Sequence, residues 1–241
     1  MGMPVGYPLL SKRGQRIEGT PLRKENERKD EFMEGFNFLF EAFILLMGLA
    51  MAEVLRGFAR VLKLRARRRA AIDQADAVRI GWLTPLLGLF VITDQATFFL
   101  HMFGFRESMP FNGGTVLGIL LTIGWYYLIA SMTFPDEPGD WRDFDQWFWE
   151  QKRFVVGGVI GVNILSTIAQ VIFLDGEQQA RIAEQMNPQM MIASVLSFAT
   201  LPMMVWLFFS RSVLVCQLLL MGILGVAVVY GLLTFTLQMP G

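Results

Sequence analysis

Cysteine and histidine are almost missing from this chain: Cys216 and His101 are the only ones in 241 residues. A lone thiol excludes an intrachain disulfide and a thiolate cluster, and a lone imidazole excludes a haem or zinc centre built from several His or Cys ligands. No cofactor is expected. Charge is scarce as well, with 17% of residues Asp, Glu, Lys or Arg against 54% hydrophobic, more apolar surface than a soluble domain of this length can hide. Net formal charge is zero, so nothing draws the whole chain to nucleic acid, and no nucleic-acid-binding module is present. The Gly-rich pieces Asn112–Gly114 and Gly157–Gly161 lack the Lys-Ser/Thr ending or the strand context of phosphate-binding loops. Before Phe36 there is no apolar core, so the N-terminus does not read as a cleavable signal peptide.

What the chain has instead is long apolar runs. A bilayer crossing takes about 20 mostly apolar residues, and six such runs are present, at about 36–55, 80–102, 114–134, 154–174, 190–209 and 213–237. Backbone polar groups cannot stay unpaired in hydrocarbon, and none of the runs alternates as a barrel strand would, so each is expected to be helix. The fold class expected is an all-α integral membrane protein, a bundle of about six transmembrane helices occupying residues 36–241. Residues 1–35 carry seven Lys/Arg and six Asp/Glu around Pro4, Gly6, Pro8, Gly14, Gly19 and Pro21, which reads as a polar, flexible tail.

Between the third and fourth runs, Trp141, Phe144, Trp147 and Phe148 recur at helical spacing among Asp140, Asp143, Asp145, Glu150 and Lys152. Two readings are open: a segment lying in the headgroup layer, where indole rings prefer to sit, or an extension of the fourth helix. Orientation follows from the basic residues. Connections one, three and five hold twelve Lys/Arg, among them Arg142, Lys152, Arg153 and Arg211, against Arg106 and Arg181 in the other two. The odd connections are therefore expected inside and both termini outside, in a cell membrane such as a bacterial inner membrane. The run Arg65, Arg67, Arg68 and Arg69 has no interleaved aromatics and is expected to meet anionic lipid headgroups at about 1 kcal/mol per residue.

Few residues within the runs can carry chemistry. An ionisable side chain at mid-membrane costs about 3 kcal/mol on insertion scales, so each needs a partner, a proton or a watery cavity. Glu41 and Asp94 fall at similar depth on antiparallel helices, roughly 8 to 12 Å from the outer surface at 1.5 Å per residue. Two facing carboxyls would share a proton or bind a cation. On the second helix Asp94, Thr97 and His101 lie on one stripe, and on the fourth Asn163, Thr167 and Gln170 form another. The expected ion or proton path is lined by Asp94, Glu41, Thr97, His101, Asn163 and Gln170; the alternative is that these groups only bond helices together. Glu53 is explained by an ion pair with Arg56. The fifteen methionines lack the paired Cys or His of a soft-metal path and read as adaptable packing.

The functional expectation is a small channel or transporter for protons or small cations, with membrane lipid around it and assembly as a homo-oligomer or within a larger membrane complex. The alternative is a non-transporting scaffold, assembly or sensor subunit. No nucleophile, metal set or soluble acid pair points to an enzyme. The orientation has a direct test. With Cys216 replaced by Ser, cysteines introduced as Glu107→Cys or Gln178→Cys should react with an impermeant thiol reagent in intact cells, and Ala70→Cys should not; labelling at 70 overturns the assignment.

Overall fold

The computed structural model describes residues 21–69, 81–105, 109, 112–137, 141, 143–173 and 188–238, with side chains left aside at 21–36, 68–69, 105, 173, 189–190, 193 and 234–238. These residues form six helices: α1 (Pro21–Arg69), α2 (Leu83–Phe105), α3 (Gly113–Thr133), α4 (Phe144–Phe173), α5 (Pro188–Phe209) and α6 (Val213–Gln238). Stretches within α1, α2, α3, α4 and α6 are long and apolar enough to cross a membrane, and α5 carries a shorter apolar stretch, Ser194–Phe209. Much of the apolar surface faces outward, as at Leu45, Leu121, Ile168, Trp206 and Leu214, the pattern of a bundle whose solvent is lipid.

The helix ends follow from local chemistry. Asn112 caps α3, its Oδ1 accepting the Thr115 amide at 2.9 Å, and α3 stops at Phe134 because the following Pro135 disfavours helix in the residue before it. Asp143 caps α4 by accepting the Asp145 amide at 2.8 Å. Pro21 opens α1 at a position where no amide is needed, so the latter part of the expected tail is helical; residues 1–20 lie outside the described residues. Inside α5, Pro202 removes one rung of the helix ladder.

α2 is the hub, packing against α1, α3, α4 and α6, while α5 packs on α4 and α6. Neighbours in sequence run antiparallel, so α1, α3 and α5 end where α2, α4 and α6 begin. At that end Phe134 is a wedge. Its ring meets Phe58 edge-on at 5.0 Å and fills the space that a Cβ would need at Gly57 of α1 and Gly88 of α2. Arg60 of α1 closes the same corner by donating to the carbonyls of Pro135 and Asp136 at 2.9 and 2.8 Å. Glu53 accepts from Arg56 at 3.1 Å as expected, and also pairs with Arg60 at 3.5 Å.

From Phe144 onward the aromatic segment is an extension of the fourth helix, α4. Phe144 and Phe148 are 1% and 0% exposed, and the Thr84 hydroxyl donates to the Phe144 carbonyl at 2.6 Å, so the aromatic face closes on the bundle. Trp141 and Trp147 stand edge to face at 5.0 Å. Lys152, counted above as a loop cation, lies within α4 at 3% exposure. Its ammonium donates to the Ser210 carbonyl beyond the end of α5 and sits over the Trp149 ring at 4.6 Å.

The wedge makes a discriminating prediction. Gly57→Ala should destabilise the fold by about 1–3 kcal/mol through overpacking, although alanine is the better helix former, whereas Gly48→Ala, whose Cβ meets nothing within 4 Å, should be neutral or stabilising. Reversible unfolding in mixed detergent micelles would show it, and Phe134→Leu should relieve the Gly57→Ala defect.

Candidate functional site

The polar groups within the apolar runs converge on α2. Asp94 sits midway along that helix and projects toward α3 and α4. Its Oδ2 accepts from the Tyr126 hydroxyl of α3 at 2.7 Å, and its Oδ1 accepts from the Asn163 amide of α4 at 2.9 Å. The second Asn163 proton goes to the Val159 carbonyl at 3.0 Å, which fixes the amide with its nitrogen toward the carboxylate. Tyr126 is fully buried, with the Phe98 ring against its own at 5.0 Å. One carboxylate thereby joins three helices.

Beside this triad lies a cleft of about 60 Å³ between α2, α4, α5 and α6, bordered by Thr93, Asp94, Thr97, His101 and Asn163, by Ser197 and Thr200 of α5, and by Tyr230 of α6. A space of that size holds a few water molecules. The expected α2 stripe is thus brought together: Asp94, Thr97 and His101 border one cavity, and the His101 ring stands at 6.5 Å from that of Tyr230. The threonines are partly spent on their own helix, Thr93 donating to Leu89 at 2.8 Å and Thr97 to Thr93 at 2.9 Å. Thr200 likewise donates to the Ser197 carbonyl at 2.6 Å.

Other expected members stand apart. Glu41 does not face Asp94: it is exposed on α1 and does not border the cleft, and both Asp94 oxygens are taken by Tyr126 and Asn163. Depth and rotation both separate them: Phe40 packs on Phe99 and Phe103 and Phe43 on Phe98 and Phe99, which sets Glu41 beside the last turns of α2 rather than level with Asp94, and Leu39, Phe43 and Met47 are the buried face of α1, from which Glu41 points away. The α4 stripe ends at Asn163. Thr167 is exposed, its hydroxyl donating to the Asn163 carbonyl at 2.8 Å, and Gln170 does not border the cleft.

In the basic run, the Arg65 guanidinium lies over the Trp82 ring at 4.8 Å, so a π face engages it directly. Arg67 is exposed, and the side chains of Arg68 and Arg69 lie outside the described residues.

Sequence reasoning missed Tyr126, Thr93, Ser197, Thr200 and Tyr230. The available signal was that a tyrosine hydroxyl deep in an apolar run needs a partner. Gln95 was missed too. It is fully buried on α2, and neither of its amide atoms has a partner among the described residues.

Chemically, the triad is a carboxylate receiving two donors, the arrangement an ionised acid requires when it has no basic partner. Protonation of Asp94 would reverse one of these bonds, with the carboxylic acid donating to a tyrosine oxygen that can rotate its own proton away. Among the described residues no group of three or more His, Cys, Asp or Glu is placed to hold a metal ion. Compared with known protein families, curated proteins and solved structures, the chain matches none.

A double-mutant cycle checks this assignment. Asp94→Asn and Tyr126→Phe should be non-additive in unfolding free energy by more than about 0.5 kcal/mol, while Asp94→Asn and Glu41→Gln should add within about that margin. The reverse pattern would restore Glu41 as the partner.

Proposed function

We propose that this chain is a small multi-pass membrane protein that moves protons or small cations, with Asp94 as the group that takes up and releases the ion. The observation that carries the reading is the Asp94 carboxylate in mid-helix, held without a cationic partner among the described residues and bordering a polar cleft to which α2, α4, α5 and α6 contribute. An acid at such a depth is costly, and simple helix gluing is done by the neutral hydroxyls and amides that are also present. In this reading α5 completes a sixth crossing, both termini lie outside the cell membrane, and Arg67 and its neighbours face anionic headgroups. A second copy is a fitting partner for α1, whose outward face carries Glu41, Gly48 and Ala52 together.

One observation favours the alternative of a non-transporting scaffold subunit. The cleft is only about 60 Å³, and the carboxylate ties α2, α3 and α4 as a structural clasp would. The two readings separate on function. In reconstituted vesicles the wild type should show proton or cation flux above empty liposomes under an imposed gradient, Asp94→Asn should reduce it at least about tenfold while remaining folded and inserted, and Glu41→Gln should leave it unchanged. Wild-type flux equal to that of empty liposomes under every gradient and potential would establish the scaffold reading. Flux indifferent to Asp94→Asn would keep transport and remove the site.

A further inference from the structure

A second cavity, about 400 Å³ and almost wholly apolar, lies between α3 and α4 on the side of α2 away from the cleft. Phe98 of α2 and Phe43 of α1 form its back, Ile119 and Val162 stand at its sides, and Asn112 borders it at the start of α3. It exists because α3 is bare there: a Cβ at Gly118 would meet nothing within 4 Å. The hydroxyls of Thr122 and Ser166 are its inner polar groups, and that of Thr122 is turned back on the Gly118 carbonyl at 2.8 Å.

We propose that this groove binds one acyl chain of a phospholipid. Three features select that occupant. From Asn112 to Thr122 the groove follows α3 for about 15 Å, half of the roughly 30 Å hydrocarbon core and therefore the depth of one leaflet. Its walls continue without a break into exposed apolar surface, Leu117 and Leu121 on α3 and Ile168 and Ile172 on α4, where lipid chains lie against the bundle. At its mouth stands the N-terminus of α3, whose dipole and the amides ahead of the Asn112-capped Thr115 suit a phosphate over a neutral head. The site rests on the bundle crossing a membrane and not on transport. It also touches the triad at second hand, since Phe98, against which the chain would lie, packs on Tyr126.

The test uses the full-length protein reconstituted into vesicles of phosphatidylethanolamine and phosphatidylglycerol, re-extracted in mild detergent, washed, and weighed by native mass spectrometry. The wild type should retain one phospholipid per chain. Gly118→Trp and Gly118→Leu should retain at least about tenfold less, and Gly225→Leu, on α6 where a Cβ also meets nothing within 4 Å, should retain it as the wild type does. Circular dichroism confirms folding, and Gly118→Leu carries the comparison where the indole is not tolerated. Equal retention in the Gly118 variants, no retained lipid in the wild type, or a retained fatty acid or sterol overturns the proposal. Wild-type protein that is stripped from the vesicles by carbonate overturns the membrane-spanning reading itself. Stable insertion without retained lipid removes the acyl site alone.

Discussion

In hydrocarbon, apolar side chains have little reason to prefer one another over lipid, so the rotation of each helix is set by the polar groups that must find partners. The Asp94 carboxylate is the strongest such constraint here. By accepting from Tyr126 and Asn163 it fixes three helices about their axes at once, and the neighbouring contacts follow. Phe98 falls against Tyr126, and the faces of α2 bearing Thr97 and His101 turn toward α5 and α6. The same rotation leaves Gln95 buried on α2 without a partner among the described residues, a cost that the triad's two charge-assisted bonds must outweigh.

At the opposite end of the bundle a second rule recurs. α3 and α5 both terminate there, and each has carbonyls beyond its last turn received by a cation from another helix: Arg60 on Pro135 and Asp136, Lys152 on Ser210. Orphan carbonyls and the negative end of the helix dipole both favour this arrangement. It also explains how Lys152 can be buried with no carboxylate partner among the described residues, since the Ser210 carbonyl and the Trp149 face meet the ammonium.

Much of this was legible in the sequence. The apolar runs located all six helices, because length and backbone satisfaction leave no other structure, and the three- and four-residue spacing placed Asp94, Thr97 and His101 on one stripe. What counting residues cannot give is the angle at which a helix presents its neighbours. Glu41 misses Asp94 in depth, because Phe40 and Phe43 pack on Phe99 and Phe103 nearer the end of α2, and in rotation, since α1 turns its Leu39, Phe43 and Met47 face inward. Tyr126 hid in an apolar run as one more aromatic. Phe144 and Phe148 suggested a lipid-facing surface, but the charges around them belonged to a helix extension whose aromatic side closes on α2. Gly57 and Gly88 became meaningful only once Phe134 was seen to lie between them.

Pro202 gives the bundle an uneven stiffness. Around the Phe134 wedge, three helices interlock with no slack, and α2 cannot shift without forcing an aromatic ring into backbone. α5 is built the other way: one rung of its ladder is missing, and it leans mainly on α4 and α6. The Asp94 cleft is bounded by both kinds of wall, so it behaves like a vice with one fixed jaw and one sprung jaw. A change in the bend of α5 at Pro202 would alter the width of the cleft while leaving the carboxylate's bonds to Tyr126 and Asn163 in place.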